Sequence, residues 1–314
     1  MKAFVGRKIN NMVDITDKSS SLRIAIAKAI VSVSKQETID VVKNKVVPKG
    51  DVFEFSRAAG LLAIKKTSDV IPDCHPLPIE YATINHQFDG LNIIITVEVR
   101  TIYKTGVEVE AMHGAAITAL TIYDMLKPID KGVTIAHIRL EEKKGGKSDF
   151  KNQSNNYRCA VIVCSDGVSS GIREDTSGKA IVEKLKQLNL SVDCFETIPD
   201  DFELIQKKVK QLSEDGYELV LFTGGTGVSA RDVTPDAIAP LLEKEMPGIM
   251  EAARSYGQLR TPYAMLSRGV AGFIKDSLII TLPGSEKAVN ETMAVLFPQI
   301  LHVFSVRSGD LHTS

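Results

Sequence analysis

The chain has 314 residues, 44% of them hydrophobic, and a net charge of −1, a globular composition long enough for two cores of ordinary size. The near-neutral balance argues against a general nucleic-acid binder, although residues 1–150 carry 21 Lys and Arg against 18 Asp and Glu (+3) while the rest carry 17 against 21 (−4), a weak hint that the first part handles an anion. Cys74, Cys159, Cys164 and Cys194 form no Cys-x-x-Cys pair and no zinc spacing, and no signal peptide or long apolar span stands out, so a cytoplasmic protein with reduced thiols and no membrane or nucleic-acid partner is expected.

Residues 1–11 read as a loose leader. Over 19–34, Leu22, Ile26, Ala29, Ile30 and Val33 recur at helical spacing with Arg23 on a neighbouring stripe, which predicts an amphipathic helix with a basic edge. Asp51 is placed to cap a helix running to Lys66. Lys49 lies just outside that helix, facing the positive end of its dipole, so it is either a solvated loop lysine or held there for another purpose. In Ile71-Pro72-Asp73-Cys74-His75-Pro76 two prolines make a rigid turn around the histidine, which is either structural or a ligand contact. The alternation of Ile93, Ile95, Val97 and Val99 with Thr96, Glu98 and Arg100 predicts a strand over 91–102.

Thr105-Gly106-Val107-Glu108-Val109-Glu110-Ala111 then opens a long helix that Pro128 stops. His113, Ile117, Leu120, Asp124 and Lys127 share one stripe of it. Beside Ile117 and Leu120 the charges are expected to be partly desolvated, which would shift lysine and carboxylate pKa values. The alternative is a surface ion pair, worth roughly 0.2–0.5 kcal/mol.

Together with Met12-Val13-Asp14-Ile15, Lys49-Gly50-Asp51-Val52, Ala119-Leu120-Thr121-Ile122-Tyr123-Asp124-Met125 and Gly145-Gly146-Lys147-Ser148, these motifs resemble the cyclic pyranopterin monophosphate synthase family, MoaC, over nearly all of residues 1–150. The resemblance implies a ferredoxin-like α+β domain, commonly hexameric, that converts a 3′,8-cyclised dihydroguanosine triphosphate to cyclic pyranopterin monophosphate with release of pyrophosphate. It implies Lys49, Asp124 and Lys127 as catalytic residues. Arg23, Asp73, Cys74, His75, Val109, Glu110 and Lys143 are implied as substrate contacts.

The polar run 151–156 reads as a short linker, and 157–314 as a second domain. There strands at 159–164, 192–198, 219–223 and 278–282 alternate with helices at 177–188, 202–213, near 235–243, 248–255 and from Glu286 onward. That order predicts a three-layer, doubly wound, mostly parallel α/β sheet. The central stretch is 219–235, where an apolar strand runs into Thr223-Gly224-Gly225-Thr226-Gly227, then Arg231-Asp232, and Thr234-Pro235 is placed to start a helix as its cap and first residue. Glycines there let backbone N–H groups face an anion, and Asp232 on the same loop suits a metal-bound phosphate. The spacing matches neither a Walker loop nor a dinucleotide fingerprint. Loops at 165–175, 199–201 and 283–285 belong at the same carboxyl edge of the sheet, where such folds bind ligands; Asp175 and Asp201 are equally readable as helix caps.

The pattern from Ser165-Asp166 to Gly178, with Thr223-Gly224-Gly225-Thr226-Gly227, Arg231-Asp232-Val233-Thr234-Pro235, Met246-Pro247-Gly248, Leu266-Ser267-Arg268 and Leu282-Pro283-Gly284-Ser285, resembles the molybdopterin adenylyltransferase family, MoaB/MogA. The resemblance implies a trimer and transfer of AMP from Mg-ATP to molybdopterin. Asp200 and Asp232 are the implied functional aspartates, meeting the metal through Mg-ATP, and Ser165, Asp166, residues 223–227 and Pro283, Gly284 and Ser285 would line the substrates. Mg2+ and ATP enter as substrate, with no tightly bound cofactor, and contact with other molybdenum cofactor enzymes is a further expectation. A bifunctional enzyme results, with sulfur insertion falling between its two steps; the alternative is that the second domain is a non-catalytic pterin-binding or assembly module.

Overall fold

A computed structural model of the chain describes residues 12–146 and 157–309. The leader at 1–11, the linker at 151–156 and the Lys147-Ser148 end of the first-domain motif lie outside the described residues. The chain divides into two compact units, Met1–Asp149 and Phe150–Ser314.

The first unit runs β1 (Ser21–Ser32), α1 (Gln36–Lys43), α2 (Val52–Lys65), α3 (Thr67–Val70), β2 (Tyr81–Asp89), β3 (Asn92–Tyr103), α4 (Glu108–Leu126) and β4 (Thr134–Lys144). Its sheet is antiparallel in the order β2-β3-β1-β4, the ferredoxin-like arrangement. The 19–34 segment is therefore a strand, not the helix its spacing predicts. Ala25, Ala27, Ala29 and Val31 are fully buried under the helices and pair with Val99, Val97, Ile95 and Ile93. Ile24, Ile26 and Ile30 occupy the other face half-buried, so both faces are apolar and the alternation is one of size, which hides the period of two.

Small residues set the helix layer close to that sheet. A Cβ at Gly60 on α2 would lie 2.1 Å from Thr118 Oγ1, and one at Gly114 on α4 would lie 2.6 Å from the Ile64 side chain. Thr118 and Ile64 fill the spaces that the two glycines leave, so the helices pack closely and the path of α4 is fixed. Asp130, 2% exposed, ties the turn after α4 to the start of α1: it accepts hydrogen bonds from Ser34 N (2.8 Å), Ser34 Oγ, Thr38 Oγ1 (2.9 Å) and Gly132 N (2.9 Å). Burial pushes its pKa up, but those donors outweigh burial and hold it at about 2.

The second unit runs β5 (Cys159–Cys164), α5 (Asp166–Ser169), α6 (Ser177–Gln187), β6 (Val192–Ile198), α7 (Phe202–Glu214), β7 (Leu219–Thr223), α8 (Thr234–Ile238), β8 (Lys244–Glu245), α9 (Pro247–Gln258), β9 (Ala271–Ile274), β10 (Ser277–Leu282), α10 (Glu286–Leu296) and α11 (His302–Arg307). The sheet order is β6-β5-β7-β10-β9-β8, with the first four strands parallel and the last two joined antiparallel. Alternate residues of each central strand feed opposite cores. Cys159, Val161, Leu219 and Leu221 pack with α6, α9 and α10, whereas Ala160, Ile162, Val220 and Phe222 pack with α7 and α8. That is the expected three-layer sheet.

Two local differences stand out. The helix expected near 235–243 ends at Ile238 and tightens into a 3-10 turn, Ala239–Leu241, because Pro240 has no N–H to continue the ladder. The strands β8 and β9 escaped the sequence reading because they are only two and four residues long. Among the described residues no helix is long and apolar enough to cross a membrane.

Candidate functional sites

In the first unit the implied residues fall into two groups. Asp51 caps α2 through the backbone N–H groups of Phe53 (3.1 Å) and Glu54 (3.3 Å) and pairs with Lys45 (2.9 Å), and Lys49 just upstream reaches α4. Lys49 Nζ donates to Asp124 Oδ2 (2.7 Å) and to the Asp124 carbonyl (2.9 Å), while Lys127 Nζ approaches Asp124 Oδ1 at 2.8 Å. This answers the question raised by the position of Lys49. Hydrogen bonds from Lys127 first and Lys49 second hold the Asp124 carboxyl at about 2, and the bond to Asp124 raises the pKa of Lys127. The expected desolvation is not found: the Lys49, Asp124 and Lys127 side chains are 41, 52 and 51% exposed, and Leu120 beside them is 52% exposed. An apolar neighbour on the stripe dries a charge only if something covers both, and nothing within the unit does.

The second group lines a cleft of about 420 Å3 at the other end of α4, where Asp73, Cys74, His75, Val109 and Glu110 meet Lys18, Gly106 and Glu108. His75 Nε2–H donates to the Val13 carbonyl at 2.7 Å, which fixes that nitrogen as the protonated one. The Cys74 thiol donates to Glu110 Oε1 at 3.3 Å. Burial, reinforced by Glu110, pushes Cys74 up to about 12, so it stays a thiol and is no nucleophile. Glu110 is 1% exposed, and burial raises its pKa despite that hydrogen bond. Lys143 joins the cleft through Glu108 at 3.5 Å. Arg23 lies at the same end of the sheet, donating to the Tyr103 carbonyl at 3.3 Å, but it does not line the cleft. From Glu110 to Asp124 is fourteen residues of α4, roughly 21 Å at the helical rise.

In the second unit the parallel strands end at Cys164, Ile198, Thr223 and Leu282, and their loops converge. Gly224 has φ +97°, and a Cβ there would lie 2.1 Å from the Cys164 carbonyl; a Cβ at Gly225 would lie 2.4 Å from Thr234 Oγ1 and 2.9 Å from Asp200 Oδ1. The glycines are needed for this close approach of loops as much as for any ligand. Thr223 Oγ1 donates to the Pro283 carbonyl (2.7 Å), and a Cβ at Gly284 would touch Gly224 Cα at 3.2 Å, which joins the 223–227 and 283–285 loops. Thr226 is buried beside them.

Asp166 and Asp200 exchange backbone contacts: Asp166 N donates to Asp200 Oδ2 (3.1 Å) and Asp200 N to Asp166 Oδ1 (3.2 Å). Asp166 also pairs with Arg231. Asp200 Oδ1 is buried with no hydrogen-bond partner, and burial, then the charge of Asp232, raises the Asp200 pKa. Asp232 Oδ2 accepts from Ser229 N at 2.8 Å. An orphaned, buried carboxylate oxygen that feels the charge of a second carboxylate is a place for a cation. Among the described residues no group of three or more His, Cys, Asp or Glu is arranged to hold a metal by itself, so such a cation needs further oxygen ligands from what it arrives with.

The remaining polar residues of these loops mostly hold helix starts. Ser165 caps α5 through Val168 N (3.3 Å), Ser285 caps α10 through Ala288 N (3.4 Å), and Asp201 caps α7 through Leu204 N (2.8 Å). Asp175 accepts from Gly178 N (2.8 Å) and Lys179 N (3.2 Å) at the start of α6. Thr234 does not cap α8: Val233 holds the cap position, and the Thr234 hydroxyl faces the Cys164 thiol with no oxygen or nitrogen partner.

Family models match both units: the MoaC family over residues 12–146 and a probable molybdopterin binding domain over residues 160–302. A molybdenum cofactor biosynthesis bifunctional protein from Chlorobaculum tepidum is 36% identical over 301 residues, 96% of each chain. The chain belongs to the family of molybdenum cofactor biosynthesis bifunctional proteins. Within this family member the first unit alone is similar to a cyclic pyranopterin monophosphate synthase from Geobacillus thermodenitrificans, 45% identical over 141 residues, 44% of this chain and 86% of that one. The second is similar to the molybdopterin biosynthesis enzyme MoaB from Thermus thermophilus, 38% identical with a TM-score of 0.47, over 49% of this chain and 98% of that one. The bifunctional enzyme joins a MoaC half to a probable molybdopterin binding half.

Sequence reasoning gave no role to Glu108, Arg231 or Arg268, although all three stand inside quoted motifs. Glu108 pairs with Lys143 beside the cleft, and Arg231 spans two loops to reach Asp166. Both are long-range pairings that no local spacing signals.

Proposed function

We propose that the first unit of this molybdenum cofactor biosynthesis enzyme converts a 3′,8-cyclised dihydroguanosine triphosphate to cyclic pyranopterin monophosphate and pyrophosphate, and that the second transfers AMP from Mg-ATP to molybdopterin. In the first unit Lys127 handles the proton, Asp124 orients it, and Lys49 neutralises phosphate. The cleft residues Asp73, Cys74, His75, Val109 and Glu110, with Arg23 and Lys143 at its edge, bind the substrate. Roughly 21 Å of α4 separates this cleft from Asp124 on one chain, whereas reacting atoms must approach within about 3–3.5 Å. The site is therefore shared: the lysine-aspartate cluster of one copy meets the cleft of another in a homo-oligomer, and the second copy also covers the exposed stripe around Leu120.

In the second unit Mg-ATP is substrate. Asp200 and Asp232 carry its magnesium, the backbone of 223–227 faces the phosphates, and a phosphate oxygen of molybdopterin attacks the α-phosphorus while pyrophosphate leaves. The observation that carries this half is the partnerless, buried Asp200 Oδ1, whose carboxyl feels the charge of Asp232. Incubation of the full chain with each substrate pair tests both halves: pyranopterin and pyrophosphate should form from the cyclised triphosphate, and adenylylated molybdopterin only with ATP and magnesium. Binding of molybdopterin without any AMP transfer would instead make the second unit a pterin-binding module.

A further inference from the structure

Arg268 follows the 3-10 turn Pro262–Leu266 and meets the Asp232 loop at three places and α8 at a fourth. Its backbone N–H donates to the Thr226 carbonyl (3.0 Å), Nε to the Gly227 carbonyl (2.7 Å), Nη1 to both oxygens of Asp236 (2.9 Å each) and Nη2 to the Asp232 carbonyl. Every guanidinium nitrogen is engaged by protein, so the group is committed as a fork and is not left to a phosphate. Thr226 and Gly227 begin the 226–232 loop, Asp232 ends it, and Asp236 lies in the first turn of α8. Arg254 on α9 in turn donates to the carbonyls of Ser267 (3.4 Å) and Gly269 (3.3 Å), which anchors the segment bearing Arg268. Inside the loop, space is tight: a Cβ at Gly227 would lie 2.9 Å from Asp232 Oδ2.

We propose that Arg268 is a positioning residue, clamping both ends of the 226–232 loop so that the Asp232 carboxylate keeps its place. This rests on the adenylyl-transfer reading of the second unit. A lysine keeps the charge but supplies neither the fork nor the reach to two carbonyls and a carboxylate at once. In Arg268→Lys, kcat for AMP transfer should fall about 100-fold, as misplacement of a catalytic group does, with KM for the pterin unchanged. Combined with Asp232→Asn, it should add almost nothing, because both changes remove the same positioned charge. A merely structural residue would give losses that multiply.

Hydrogen exchange separates failure of the clamp from failure of the reading. The Ser229 amide, held by Asp232 Oδ2, should exchange at least about 10-fold faster in Arg268→Lys while the amides of β5 and β7 do not change. Arg268→Gln is the second variant; where it melts early, Arg268→Lys decides. Multiplying losses, a KM effect without a kcat effect, or unchanged Ser229 protection each overturn the clamp. If the unaltered chain transfers no AMP, the adenylyl-transfer reading falls, and the Ser229 exchange alone decides whether Arg268 holds the loop.

Discussion

In the first unit Asp124 is clasped by two lysines at 2.7 and 2.8 Å and half exposed, whereas in the second Asp200 keeps one buried carboxylate oxygen without a partner. The first arrangement is electrostatically satisfied and lacks a wall. The second holds a buried carboxylate oxygen and lacks a counter-charge for it. A parallel sheet gathers its loops at one edge, so four distant stretches of sequence converge by topology alone. An antiparallel sheet with one long helix across it spreads its candidate residues along that helix, and in the proposed shared site another copy brings the two ends together. An unpaired carboxylate is thus a waiting ligand site, and an exposed ion pair with an apolar neighbour is a waiting interface.

The largest effect expected is at Lys127. Lys127→Arg keeps a cation beside Asp124 but cannot exchange a proton near neutral pH, so pyranopterin formation should drop by about 1,000-fold with substrate binding retained. AMP transfer by the same chain, measured as internal control, should not change. Wild-type-like synthesis would return the cluster to a surface ion pair. On the other side of the comparison, Asp232→Asn should lower AMP transfer by about 100-fold while molybdopterin binding, followed by fluorescence titration, persists.

How much of this was readable in the sequence differs between the units for the same reason. Glycines 224, 225 and 227, Asp200 and Asp232 could be placed at one edge of the second unit because parallel α/β topology turns chain order into loop position. The alternation of helices and strands there was legible from Cys159 onward. In the first unit Asp51 as a cap and the 93–99 alternation were equally plain, but β1 was not: its alanines and isoleucines are apolar on both faces, and a segment with no polar side has no readable period. Nor could the stripe through Leu120 reveal its exposure, since burial depends on what packs over it. The split between the Asp124 cluster and the Glu110 cleft needed only helix length, but its meaning needed the exposure of one and the enclosure of the other.

Smaller effects sharpen the contrast. Gly114→Ala forces a methyl group into the Ile64 side chain and should destabilise the first unit by about 2 kcal/mol, moving the melting transition of that unit alone. Both transitions moving together would mean that the units do not melt independently. Asp200→Asn should do the opposite to the second unit and stabilise it by about 1 kcal/mol at neutral pH, as often happens when an active-site charge is neutralised. The sign follows from linkage: the folded-state pKa is raised, so the folded chain binds this proton more tightly than the unfolded one. Stability is then lost as pH rises from the ordinary carboxyl value through the raised one, and Asp200→Asn should flatten that slope. A steeper slope or a lower melting temperature in the variant would show that Asp200 is satisfied in the free protein.

The shared site of the first unit is tested most directly by subunit complementation. Full-length Lys127→Arg and Glu110→Gln chains are co-expressed, purified as one mixed oligomer and assayed for pyranopterin formation against each variant alone. Random mixing places an intact lysine-aspartate cluster opposite an intact cleft in about a quarter of the shared sites, so activity should recover to about a quarter of that of the unaltered protein. A mixed oligomer as inactive as its parents would contradict a site divided between copies.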